Sequence, residues 1–164
     1  MELQRITTYY DPNEDRIRLS GEDESGEPLA LWLTRRLLNR LIPVLLQWLE
    51  RHNTPGADSD CSPDFVLNLP WDEPLRQPPP KEFPICPQYL VRSVNITQGE
   101  ALSLIFHHKD TSPTASSFSL AFGPHPLRQW LNALREQYEK AEWPMTCWPE
   151  WAQAPAPQEM LRLQ

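Results

Sequence analysis

Two stretches of the chain, residues 3–52 and 89–142, spell the same order of elements, and no other feature restricts the fold as strongly. In the first, Leu3–Tyr10 and Arg16–Ser20 read as strands joined by the turn-rich Asp11–Asp15. A polar loop, Gly21–Pro28, leads to a third strand, Leu29–Thr34, whose Leu29, Leu31 and Leu33 alternate onto one face. A helix over Arg35–His52 follows, with Leu37, Leu41, Val44, Leu45, Trp48 and Leu49 along one side. Pro43 removes one hydrogen bond inside this helix and predicts a kink near Asn39 rather than a break, because the apolar stripe runs on beyond it.

The second stretch repeats the pattern. Tyr89–Thr97 and Ala101–His108 read as strands around Gln98–Glu100, Lys109–Ser116 as a loop, and Ser117–Phe122 as a third strand. The run Gly123–Pro126 opens a helix reaching about Ala141, with Leu127, Trp130, Leu131, Leu134 and Tyr138 on its apolar side. At an offset of 89 or 90 residues, Leu29, Leu31 and Leu33 meet Phe118, Leu120 and Phe122, and Leu37, Leu41 and Trp48 meet Leu127, Leu131 and Tyr138. The sequence thus predicts an α+β domain of two β-β-β-α pseudo-repeats, residues 1–52 and 89–142, with two small sheets side by side over a shared core. Leu31, Leu41, Leu120 and Leu131 are expected in that core.

The remaining segments differ in composition. Nineteen Pro against five Gly favour stiff, extended connections, and nine of the Pro fall within residues 53–88. That segment also holds six acidic residues against Arg76 and Lys81, and reads as an acidic, Pro-rich strap pinned by Phe65, Leu67, Trp71, Phe83 and Ile85. A docking segment in polyproline conformation is the other reading. Residues 143–164 form a Trp- and Pro-rich tail in which Trp143, Trp148 and Trp151 lie within nine residues. Either the tail folds back on the domain, or its Trp side chains anchor a partner.

Chemistry-bearing residues do not converge in the sequence. The five Gly make no phosphate loop or dinucleotide fingerprint, and Cys61, Cys86 and Cys147 make no disulfide framework or zinc ribbon. His107, His108 and His125 match no ligand spacing, and the EF-hand-like run from Asp11 to Glu22 has Arg16 where the turn needs Gly. No metal, cofactor or catalytic residue is expected. The N-terminus lacks an apolar leader, and the longest apolar run, residues 41–46, is far short of a membrane span, which predicts a soluble cytoplasmic protein.

Arg35, Arg36 and Arg40 crowd the start of the first helix, where positive charge opposes the helix dipole, which reads either as a solvated polar face or as a site for an anion or acidic partner. Trp32, alternating onto the outward side of its strand, either packs under the other repeat or the C-terminal tail or is a second partner contact. With Trp143, Trp148 and Trp151, these residues predict a non-catalytic accessory or adaptor protein that binds another protein. In topology the repeated sheet-plus-helix unit also resembles the Whirly, coactivator-type and PUR-repeat modules, although their units usually carry four strands. That resemblance implies single-stranded nucleic acid on a sheet face bearing Arg5, Arg16, Arg18, Arg92 and Trp32. A net charge of −7 works against it.

Overall fold

The computed structural model describes residues 1–52, 85–108 and 117–149. Six strands and two helices follow in the order β1 (Gln4–Asp11), β2 (Arg16–Glu22), β3 (Pro28–Leu33), α1 (Arg35–His52), β4 (Gln88–Gln98), β5 (Leu102–His108), β6 (Phe118–Phe122) and α2 (Pro124–Ala141). The chain is α+β, and the elements sit where apolar periodicity puts them. α1 is one element with Pro43 inside it. Residues 53–84 of the strap and the end of the tail, including Cys61, Phe65, Leu67, Trp71, Phe83 and Trp151, lie outside the described residues, whereas Ile85, expected to pin the strap, is fully exposed and Gln88 already belongs to β4.

The sheet arrangement differs from expectation. The six strands form one sheet in sequence order, β1-β2-β3-β4-β5-β6, and not two sheets side by side. All neighbours are antiparallel except β3 and β4, which run parallel through Ala30–Gln88, Leu31–Tyr89 and Trp32–Leu90. A parallel pair needs a crossover, and α1 is part of it. At the opposite end, residues 1–3 pair with β6 through a parallel bridge between Glu2 and Ser119. The Leu3 amide donates to the Ser119 carbonyl, and the Ser119 amide to the Met1 carbonyl, each at 2.9 Å. Both joins between the halves are therefore parallel, and the two ends of the sheet are tied together.

Cross-strand register decides which residues face the helices. One row holds Thr8, Leu19, Leu31 and Tyr89, and the next, on the opposite face, holds Tyr9, Arg18, Trp32 and Leu90. Leu29, Leu31, Leu33, Leu102, Leu104, Phe106, Phe118, Leu120 and Phe122 join the buried stripes of α1 and α2 in one core. Leu31 and Leu131 are fully buried, with Leu41 and Leu120 nearly so, as the alternation requires.

The free edge of β1 is closed by α2. The Tyr10 amide donates to Oε1 of Gln137 at 2.9 Å, which supplies a partner to an edge-strand donor. Trp130 Nε1 donates to the buried Thr8 hydroxyl at 3.1 Å. After Ala141 the chain enters the left-handed region at Glu142 (φ 56°), whose amide returns to the Glu139 carbonyl while that of Trp143 returns to Tyr138. This reversal folds Trp143 and Trp148 back into the core, at 5% and 1% exposure.

The fold-back is locked by an aromatic corner. Trp143 meets Tyr10 and Tyr138 edge to face, with ring centroids 5.5 and 5.1 Å apart. Its Nε1 donates to Oδ1 of Asp15 at 2.9 Å, and the Tyr10 hydroxyl donates to the same oxygen at 2.7 Å. These donors, Tyr10 first and Trp143 second, with the nearby Arg35 charge, hold the Asp15 carboxyl below its ordinary value of 3.8. A lowered carboxyl stabilises the fold above its unfolded value and loses that contribution as pH falls through the folded one. The melting temperature of wild type should therefore drop more steeply below about pH 4 than that of Asp15→Asn. Parallel slopes in melts from pH 5 to 2.5 would remove Asp15 from this role.

Candidate binding cleft beside Trp32

Thr34 separates β3 from α1 and caps the helix. Its carbonyl accepts from the Leu38 amide at 3.0 Å and its hydroxyl from the Leu37 amide at 3.2 Å. The first turn of α1 contains no acidic residue, so Arg35 and Arg36 oppose the positive end of the helix, Arg35 with the Asp15 carboxylate nearby and Arg36 with no ion-pair partner among the described residues. Each such placement costs roughly 0.3–1 kcal/mol. Arg40 lies one turn beyond Arg36 on the same side, and a like-charged pair at that spacing costs about 0.2–0.5 kcal/mol more.

The parallel pairing of β3 with β4 brings a second wall against this helix start. Thr34, Arg36, Leu37 and Arg40 on one side and Leu90, Val91 and Arg92 on the other line a cleft of about 340 Å³. Arg36, Arg40 and Arg92 are all exposed. Among the described residues, ion pairs are formed by Arg5 with Glu22 and Arg16 with Glu14, and no carboxylate pairs with the three cleft arginines. The apolar floor combines the half-buried Leu37 and Leu90 with the buried Val91.

Trp32 adjoins this cleft, because its register partner Leu90 is also one of the lining residues. It is half buried on the sheet face opposite the core. Its Nε1 donates to Oε1 of Gln88 at 2.9 Å, which fixes the indole plane. The Arg18 guanidinium carbon sits 5.7 Å from the ring centroid, a cation–π distance. Arg18 is itself buried to 8% exposure and donates to Ser20 Oγ at 2.9 Å and toward Cys86 Sγ at 3.5 Å.

Of the residues singled out from sequence, Arg36 lines the cleft, and Trp32 is the register neighbour of its lining residue Leu90. Arg35 lies elsewhere, close enough to Asp15 to lower its carboxyl. Trp143 and Trp148 are buried in the aromatic corner, and Trp151 lies outside the described residues. Arg40 and Arg92 carried separate signals, one as a helix-start charge and one as an outward strand residue. Only the β3–β4 pairing shows that they share a cleft.

Burial pushes the Cys147 thiol up, away from the thiolate, despite the nearby Tyr138 hydroxyl. The Tyr138 hydroxyl is raised chiefly by burial and donates to Oδ1 of Asn39 at 2.7 Å. Among the described residues no three His, Cys, Asp or Glu side chains gather to hold a metal ion, and no helix is long and apolar enough to cross a membrane. No family model, curated protein or solved structure matches this chain.

Proposed function

We propose that this is a non-catalytic binding protein that docks an acidic segment of another protein in the Arg36–Arg40–Arg92 cleft. Trp32 and Leu90 supply the adjoining apolar contact. One observation carries this reading: three exposed arginines from two elements line one cleft with no carboxylate partner among the described residues, in a chain of net charge −7. Like charges gathered this way weaken the fold slightly, and an acidic ligand would offset that cost. Arg at an interface also presents a planar fork suited to carboxylates. The free thiols at Cys86 and Cys147 suit a reducing compartment such as the cytoplasm.

The halves also read as two copies of one unit. Their common element order and the two parallel joins, β3 with β4 and β6 with residues 1–3, support this.

The test is a pull-down comparing wild type with Arg36→Glu/Arg92→Glu, each with and without nuclease. A partner retained by wild type after nuclease and lost by the charge-reversed protein is the expected result. A partner captured equally by both proteins would place the interface elsewhere. The row Tyr9–Arg18–Trp32 sets two half-buried aromatic rings on the outward sheet face, with Arg18 held beneath Trp32, and favours single-stranded nucleic acid, stacked on the rings, as the second reading. That reading requires sub-micromolar oligonucleotide binding that falls steeply between low and moderate salt.

A further inference from the structure

We infer that the cleft between the start of α1 and β4 is a site for a phosphate-monoester dianion, presented as a phosphorylated side chain of the docked segment. The inference rests on the docking reading above and narrows its ligand. It turns on the number and placement of the arginines. A carboxylate offers two oxygens and one charge, which a single guanidinium fork can satisfy. A phosphate monoester offers three acceptor oxygens and nearly two charges at neutral pH. Arg36 and Arg40 come from successive turns of one helix, and Arg92 from the strand on the opposite wall. Three guanidinium groups on two walls exceed what one carboxylate can accept, whereas a phosphate's three oxygens and nearly two charges can engage more than one of them.

The cleft's surroundings agree with an attached rather than a diffusing ligand. Its floor of Leu37, Leu90 and Val91 is apolar, and Trp32 stands next to Leu90. A free phosphate would leave that floor uncovered, whereas a peptide carrying one could lay an apolar neighbour across it. All three arginines are exposed, so replacing them removes no core packing.

Fluorescence anisotropy with a labelled ten-residue peptide of Glu, Gly, Leu and one central phosphoserine tests this on the full chain. Binding should be at least about tenfold tighter than for the same peptide with Ser, and tighter than with Glu at that position. Because the second phosphate ionisation lies near pH 6, the advantage over Glu should shrink from pH 7.5 to pH 5. Arg36→Gln, Arg40→Gln and Arg92→Gln should each weaken phosphopeptide binding about tenfold or more, with no fall in melting temperature and a slight rise for Arg36→Gln and Arg40→Gln as their repulsion is relieved.

If the Glu peptide binds as tightly as the phosphopeptide, the dianion inference fails and acidic docking survives. If neither binds, both fail. Free phosphoserine binding as tightly as the phosphopeptide would overturn presentation on a docked segment. Arg variants that bind the phosphopeptide like wild type would place the site elsewhere. A single-stranded oligonucleotide that outcompetes the phosphopeptide at moderate salt would replace both readings with the nucleic-acid one.

Discussion

Trp148→Ala should lower the melting temperature by roughly 6–20 °C, as followed by circular dichroism. The range comes from a truncation cost of about 3–5 kcal/mol for a buried Trp and about 2–4 °C per kcal/mol at this chain length. Trp148 is 1% exposed and meets Tyr138 edge to face, with ring centroids 5.6 Å apart. Tyr138 is buried and bridges α2 to α1 through Asn39, so the space left by Trp148 opens beside a helix–helix contact. Neighbouring groups cannot close it cheaply, because Trp143 is already held by Asp15. Trp148→Phe keeps the aromatic contact and should recover more than half of the loss. The experiment also divides the two roles open to the tail. A partner anchor would leave the melt within about 2 °C of wild type, and that outcome would contradict the packing described for this corner.

The local elements were legible because their patterns are strong and short-ranged. Leu29, Leu31 and Leu33 alternate over β3 and face the core, and the stripe from Leu41 to Leu49 marks the buried side of α1. The sheet's assembly was less legible. The β1–β2, β2–β3 and β4–β5 neighbours are joined by short turns that set their register. No turn sets the register of Leu31 against Tyr89, and residues 1–3 meet β6 from the far end of the chain. Non-local pairing of this kind is decided by the whole core and leaves little trace in local composition. The expectation of two separate sheets failed at that point. The arginine cleft was hidden for the same reason, since Arg36 and Arg92 become neighbours only through the β3–β4 join. For the tail, sequence posed the right alternatives without deciding them. A Trp with large apolar area and one donor suits a core corner and an interface equally. The left-handed turn at Glu142, which sends the tail back, occurs without the Gly that usually signals it.

Trp130→Ala should be at least as damaging as Trp148→Ala, because it adds a lost hydrogen bond to a cavity. Trp130 is 1% exposed and stacks on Phe122, with ring centroids 5.1 Å apart and planes 11° from parallel. Losing the ring costs about 3–5 kcal/mol in burial and cavity. Its Nε1 also donates to the hydroxyl of Thr8, itself 1% exposed. Removing the indole also removes this buried hydrogen bond, a further cost of about 0.5–1.5 kcal/mol. The two contributions can be separated by a double-mutant cycle. Trp130→Phe keeps most of the apolar surface and removes the donor, whereas Thr8→Val keeps the shape and removes the acceptor. If the hydrogen bond carries its own weight, the pair of changes should cost less than the sum of the single ones by about 0.5–1.5 kcal/mol in urea titrations. Strict additivity would mean that Trp130 joins β1 to α2 through packing alone. The Tyr10–Gln137 bond would then be the polar tie to probe on that edge, and Gln137→Leu the variant that removes it.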